Sequence, residues 1–203
     1  MLIKTLTVGQ LSTNCYVVTD ETTMDCALID PGAESGRILN YIEENGMRLR
    51  CIMLTHGHFD HTTAVPSVRE AYPVPVYINK KDTRTKGSRD AMKWLPPDDI
   101  SYYSEGDTIK AGSLEFTVME TPGHSEGSVT LRCDNALFTG DTLFRDSCGR
   151  TDFEGGNMQV LLGSLKRLSE LEGDFEVYPG HAEATSLSRE RRFNYYMRYA
   201  LEG

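Results

Sequence analysis

The chain has 203 residues, 39% of them hydrophobic and 25% charged, the proportions of an ordinary globular protein. With 30 Asp and Glu against 21 Lys and Arg, its formal net charge is −9, so it lacks the basic face that broad binding to nucleic acid or to an anionic membrane requires. No apolar run is long enough to span a bilayer, and Met1-Leu2-Ile3-Lys4-Thr5 lacks the charged-then-apolar layout of a signal peptide; a soluble protein of the cytoplasm is expected.

In chain order, Leu2–Val8, Cys15–Thr19 and Cys26–Asp30 read as opening strands. Pro31-Gly32 turns the chain into a helical stretch that Asn45-Gly46 stops. Cys51–Thr55 is a short strand of the buried type. A helix from about Thr62 to Ala71 and a strand at Val76–Asn79 follow. Residues 80–99, with Pro96-Pro97, are polar and irregular. Strands are expected at Ser113–Glu120, Val129–Cys133 and Ala136–Thr139, then a helix around Met158–Leu171. A strand at Glu176–Tyr178 and a final helix near Ser188–Leu201 close the chain. Strands alternating with helices read as α/β with a mixed sheet. A chain of this length supplies one substantial core, so one domain over 1–203 is expected.

The five cysteines (Cys15, Cys26, Cys51, Cys133, Cys148) are scattered, and no pair has CxxC spacing. An odd, dispersed set fits reduced thiols. Cys15, Cys26 and Cys51 sit in apolar surroundings and read as small core residues.

All five histidines stand where a ligand would be useful. Three lie in Thr55-His56-Gly57-His58-Phe59-Asp60-His61, and the others in Pro122-Gly123-His124 and Pro179-Gly180-His181. An apolar strand precedes each segment, and another precedes Gly140-Asp141. In open α/β sheets functional sites gather beyond the carboxyl ends of strands, so four such segments can deliver ligands to one edge. His56 and His58 are two apart, and in extended chain they point to the same side. Asp60 and His61 follow as the chain turns into a helix and can face a second ion. With His124 completing one site, His181 the other and Asp141 between them, the seven supply two neighbouring nitrogen and oxygen coordination spheres. Such spheres suit zinc, iron or manganese. A water between two such cations loses a proton near neutral pH and becomes a nucleophile. A lone HxH is weak, and Asp141 by itself reads as a turn cap; the combination carries the reading.

At these residues the sequence resembles the metallo-β-lactamase superfamily, from the Asn14-Cys15-Tyr16 strand through Asp30-Pro31-Gly32 to His181. The resemblance implies a four-layer αββα sandwich: two mixed sheets face to face, helices outside, metals at one edge. By motif match, His56, His58 and His124 would bind the first of two divalent cations, Asp60, His61 and His181 the second, and Asp141 would bridge. Zinc is the expected metal, with iron and manganese as alternatives. Flavodiiron oxygen reductases carry Glu where this chain has His58, zinc β-lactamases generally lack the bridging Asp, and nuclease members carry a large inserted domain. What remains looks like the glyoxalase II thioester hydrolases and the related persulfide dioxygenases. The glyoxalase II C-terminal helical domain is missing apart from about one helix, and Ala182-Glu183 follows the last His where that group has Glu and Tyr. A short, single-domain, glyoxalase II-like hydrolase is the description these residues imply.

The expected reaction is hydrolysis of a small thioester or ester, with a metal-bridging hydroxide attacking the carbonyl carbon and Asp60 and Asp141 as the catalytic carboxylates. Asp60 would orient the hydroxide. Asp30 could steady a metal ligand from behind or simply form the Pro-Gly turn. In Cys148-Gly149-Arg150-Thr151-Asp152-Phe153, Arg150 reads either as a surface residue on a Gly turn or as a clamp on a substrate carboxylate. Cys148 has no spare histidine to activate it as a nucleophile. Two rivals stand: a dioxygenase with one iron on His56, His124 and Asp141 acting on a persulfide, and a metal-stabilised binding module without turnover.

Overall fold

In the computed structural model, which describes residues 1–84 and 92–202, the short apolar runs expected as strands form sheets whose inner strands bury side chains on both faces. The first sheet runs β1 (Leu2–Val8), β2 (Thr13–Thr19), β3 (Asp25–Ile29), β4 (Arg48–Met53), β5 (Val76–Asn79) and β6 (Ser101–Tyr103), in that order across the sheet. Its first three strands pair antiparallel and the rest parallel. Cys15, Val17, Cys26, Leu28, Ile52 and Leu54 point to an outer core, which α1 (Ser35–Glu44) and α3 (Val65–Ala71) cover with Ile38, Ile42, Val65 and Val68. Their neighbours Tyr16, Val18, Ala27, Ile29, Cys51 and Met53 point the other way, into a core shared with a second sheet.

That second sheet is built from β7 (Thr108–Ala111), β8 (Leu114–Glu120), β9 (Val129–Cys133) and β10 (Ala136–Gly140). After a small separate hairpin, β11 (Leu143–Phe144) and β12 (Ser147–Cys148), the chain adds β13 (Glu176–Pro179) and β14 (Thr185–Ser186) beyond β10. The pairings are antiparallel except β10 with β13. Phe116, Val118, Leu131 and Phe138 fill the space between the sheets. Leu137 and Val177 face outward, under α4 (Met158–Ser169), α5 (Leu187–Phe193) and α6 (Tyr195–Glu202). The result is the expected sandwich of two mixed sheets between helices. No helix among the described residues is long and apolar enough to cross a membrane.

Several expected boundaries move. The helix from Thr62 to Ala71 is two pieces, α2 (Phe59–Thr62) and α3. Pro66 sits in the first turn of α3, where its missing N–H costs no bond and its ring meets no preceding turn. The last helix also divides: Asn194 is extended (φ −70°, ψ 117°) and its Oδ1 accepts the Tyr196 and Met197 amides at 3.0 and 3.2 Å, capping α6. Strands β6, β7 and β14 were not expected, being two to four residues long with mixed polarity. Of the stretch 80–99, Lys80–Asp82 forms a single 3₁₀ turn, and positions 85–91 lie outside the described residues.

Candidate metal centre

Strand direction decides where the donors emerge. β3 and β4 run parallel, as do β10 and β13, so their carboxyl ends lie side by side. His56 follows β4, His124 follows β8, Asp141 follows β10 and His181 follows β13. His58 is extended (φ −66°, ψ 149°) at the entrance to α2, whose one turn carries Asp60 and His61. Backbone bonds tie the two sheets together here: Val129 N–H donates to Thr55 O at 2.9 Å and Asn14 N–H to Gly180 O at 2.7 Å. Asn14 Nδ2 also reaches the Pro179 and Ala182 oxygens, and the Tyr16 hydroxyl donates to Pro179 O at 2.5 Å. Gly180 is required by space, because a Cβ there would stand 2.2 Å from Asp141 Oδ1 and 2.8 Å from His61 Cε1.

The seven candidate ligands converge in two groups. Donor atoms of His56, His58 and His124 lie within 4.8 Å of one another, and so do those of Asp60, His61 and His181. His58 Nδ1 and His124 Nε2 are 2.9 Å apart. Asp60 Oδ2 lies 3.4 Å from His61 Nε2 and 3.3 Å from His181 Nε2. Asp141 stands between the groups, with Oδ1 3.5 Å from His61 Nε2 and Oδ2 3.5 Å from both His124 Nε2 and His181 Nε2. Asp30, His56 and His61 make a third close set, but the Asp30 oxygens are already taken by Thr55 N–H, the Thr55 hydroxyl and His61 Nδ1 at 2.6–2.9 Å.

Two observations say that this set suits divalent cations. Among the described residues, His56 Nε2, His61 Nε2 and Asp141 Oδ1 are buried with no hydrogen-bond partner, a condition that costs free energy unless something polar completes it. The far side of four rings, by contrast, is held: His56 Nδ1 by the Thr55 hydroxyl, His61 Nδ1 by Asp30, His124 Nδ1 by Arg150 O at 2.7 Å and His181 Nδ1 by Leu11 O at 3.0 Å. Such outer bonds select the tautomer that leaves the other nitrogen's lone pair free.

The electrostatics divide along the same line. Burial, then the neighbouring imidazoles, push His56 well below the usual histidine range, and burial followed by His124 lowers His58. Burial also works against charge on His61 and His181, but the carboxylates outweigh it, raising His61 and taking His181 to about 10. Burial would raise Asp60 and Asp141, yet the facing imidazoles hold both below the usual carboxylate range.

The Arg150 guanidinium does not join the cluster. It is more than half exposed, forms a paired bond to Asp152 at 2.6 Å for each contact and stacks 3.9 Å from the Phe153 ring centre. Phe153 in turn sets its ring edge-on to His58. Cys148 is half-buried, and burial pushes its thiol up to about 11, against a nucleophilic role. The residue that sequence reasoning missed is Asp82. Fully buried, it accepts Gly57 N–H at 2.7 Å, the Ser125 hydroxyl at 2.7 Å and Gly127 N–H at 3.0 Å, with Lys93 Nζ 3.7 Å away. It clamps the His56–His58 loop to the His124 loop. Lys80-Lys81-Asp82 reads as surface in the sequence, and only the short Val76–Asn79 strand before it hinted at burial.

The sequence profile of the metallo-beta-lactamase superfamily matches residues 8–181. This chain belongs to that superfamily. Among its superfamily relatives, an uncharacterized protein of Aquifex aeolicus is 38% identical over the whole of both chains. The hydroxyacylglutathione hydrolase GloC of Haemophilus influenzae is 31% identical, covering 96% of this chain and 97% of that one. Three crystal structures of superfamily proteins are similar throughout. The BLEG-1 B3 metallo-beta-lactamase has a TM-score of 0.87 at 31% identity, covering 97% of this chain and 99% of that one. ETHE1 from Myxococcus xanthus has 0.80 at 33%, covering 96% and 84%. TTHA1623 in a di-iron-bound form has 0.82 at 35%, covering 95% and 99%. The superfamily is mostly metallo-hydrolases, and the His/Asp cluster suits divalent metals.

Proposed function

We propose that the chain is a binuclear metallohydrolase that cleaves a small thioester or ester, acting as one domain across residues 1–203. His56, His58 and His124 would hold one cation, Asp60, His61 and His181 the other, with Asp141 shared. The observation that carries this reading is the pair of three-donor groups on either side of Asp141, with three buried donor atoms that no protein group satisfies. When bound, such a pair of cations supplies Lewis acidity toward the carbonyl oxygen and acidifies a water.

The chain's own residues do the rest. Burial keeps His56 and His58 unprotonated at neutral pH, and a bound cation would take the place of the proton that Asp60 and Asp141 favour on His61 and His181. Thr13 donates its hydroxyl to Asp60 Oδ2 at 3.0 Å, fixing a carboxylate that can take the proton of the attacking water and pass it to the leaving thiolate. The new bond is acyl carbon to oxygen, and the broken one is acyl carbon to sulfur. Arg150 is a clamp for a substrate carboxylate. Its present partner, Asp152, is exposed, and solvent screens a pair of that kind, so exchange is cheap.

Similarity to ETHE1 favours a second reading, oxidation of a persulfide with one iron on His56, His124 and Asp141. Metal analysis of the protein as isolated, then thioester cleavage with and without a chelator, separates the two. About two metals per chain and chelator-sensitive cleavage are expected. One iron per chain, with oxygen uptake on a persulfide and no thioester turnover, would replace the hydrolase reading.

A further inference from the structure

The two donor groups face chemically different surroundings. Beside His58 and His124 stand Phe153 and the Arg150 loop, and an open cleft of about 550 Å³ with mixed lining lies against the His124 turn, where Lys81, Glu126 and Asn157 stand beside Pro122 and Val160. Beside Asp60 and His181 the surface is apolar. A cavity of about 280 Å³ opens between the β1–β2 turn, the loop after β3 and α2, lined by Val8, Leu11, Ala33 and Phe59 with Thr13 and Asp60 in its wall. It adjoins the metal side directly: Leu11 O receives His181 Nδ1, and Thr13 bonds the Asp60 oxygen that faces His61 and His181.

The two threonine hydroxyls of this cavity are already spoken for. The Thr13 hydroxyl is on Asp60 and the Thr63 hydroxyl on Phe59 O. Among the described residues, no partner is seen for the Gln10 side chain, which also lines the cavity. Leu11 and Phe59 stand 54% and 44% exposed, apolar surface that gains from being covered.

Building on the thioester reading, we propose that this cavity is the acyl subsite and that it takes an apolar acyl chain. The anionic groups of the thiol carrier lie on the opposite side, toward Arg150 and Lys81. The substrate class is thus an alkanoyl or aryl thioester of an acidic thiol, oriented with its acyl group over Asp60 and its sulfur toward His58.

The test uses metal-loaded protein and two readouts. Calorimetry with straight-chain carboxylates of two to eight carbons measures the cavity without turnover; affinity is expected to tighten about fourfold per added methylene until the cavity is filled. Values of kcat/KM for acyl thioesters of one acidic thiol should climb with the same slope. Ala33→Leu, which fills the cavity, should flatten both gradients. Leu11→Ser, at a residue more than half exposed, should shallow them without threatening the fold. A flat carboxylate profile in the wild type, or gradients that survive both variants, would overturn the subsite. Carboxylate gradients without thioester cleavage leave the subsite standing and remove the hydrolase reading, and cleavage with a flat profile does the reverse.

Discussion

At the scale of single residues, the candidate centre depends on side chains that never touch a ligand's donor atom. Asp30 adopts φ 51°, a left-handed conformation uncommon outside glycine, and in that position its two oxygens reach Thr55 and His61. Asp30→Ala would leave the His61 ring without its orienting partner. Metal affinity, measured by competition with a chromophoric chelator, is expected to fall about 10–100-fold; an unchanged affinity would remove Asp30 from the centre. Asp82 works through backbone instead. Asp82→Ala would strand the Gly57 and Gly127 amides and the Ser125 hydroxyl in a buried place. Urea unfolding of metal-free protein should show a loss of about 3 kcal/mol, and a loss under 1 kcal/mol would mean that water replaces the carboxylate.

At the scale of elements, the short pieces near the centre are held by their neighbours rather than by length. α2 is a single turn, too short to persist without the strand and loop contacts on either side. The break between α5 and α6 is equally local. Asn194, fully buried, caps α6 with Oδ1, while its Nδ2 donates to Phe144 O and Ser147 O in the β11–β12 hairpin and to Glu190. Glu190 also accepts Asp146 N–H. The last helices therefore brace the hairpin that lies between Asp141 and Arg150. Asn194→Ala is expected to cost about 2–3 kcal/mol, a lost cap plus stranded carbonyl partners, read as a lower midpoint in thermal or denaturant unfolding. A loss confined to a few tenths would mean that α5 and α6 do not depend on this residue.

At the scale of the whole molecule, the cluster is a concentration of unsatisfied polar atoms at the rim of a tightly packed sandwich. Tyr16, Phe138 and Tyr178 pack at 5.3–5.6 Å between the sheets directly beneath it. A cation that binds only the folded chain adds stability in proportion to its occupancy, and here it would also relieve the partnerless His56, His61 and Asp141 atoms. Removing metal with a chelator should therefore lower Tm by several degrees, reversibly on adding zinc, iron or manganese back. A Tm indifferent to chelation in a preparation shown to contain metal would contradict the proposed centre.

Much of this was legible in the residues themselves. The short apolar runs Cys15–Thr19 and Cys26–Asp30, and Gly turns before His124, Asp141 and His181, are chain-local features, which residue pattern and turn chemistry report directly. The order of seven candidate donors along the chain and an α/β reading with a mixed sheet follow from that level, while two sheets face to face with helices outside came from the superfamily resemblance. Other features needed the two sheets face to face: the grip of Asp82 on loops 25 to 45 residues away, the pinning of the His181 turn by Asn14 and Tyr16, and the pairing of Arg150 with Asp152 in place of a free clamp. Sequence spacing carries no distance between segments far apart in the chain, and a buried carboxylate looks like a surface one until its partners are known. The amino-acid order thus determined which donors exist and which strand delivers each. Only the tertiary packing decided that they meet around Asp141, with an apolar cavity on one side and a cleft of mixed lining on the other.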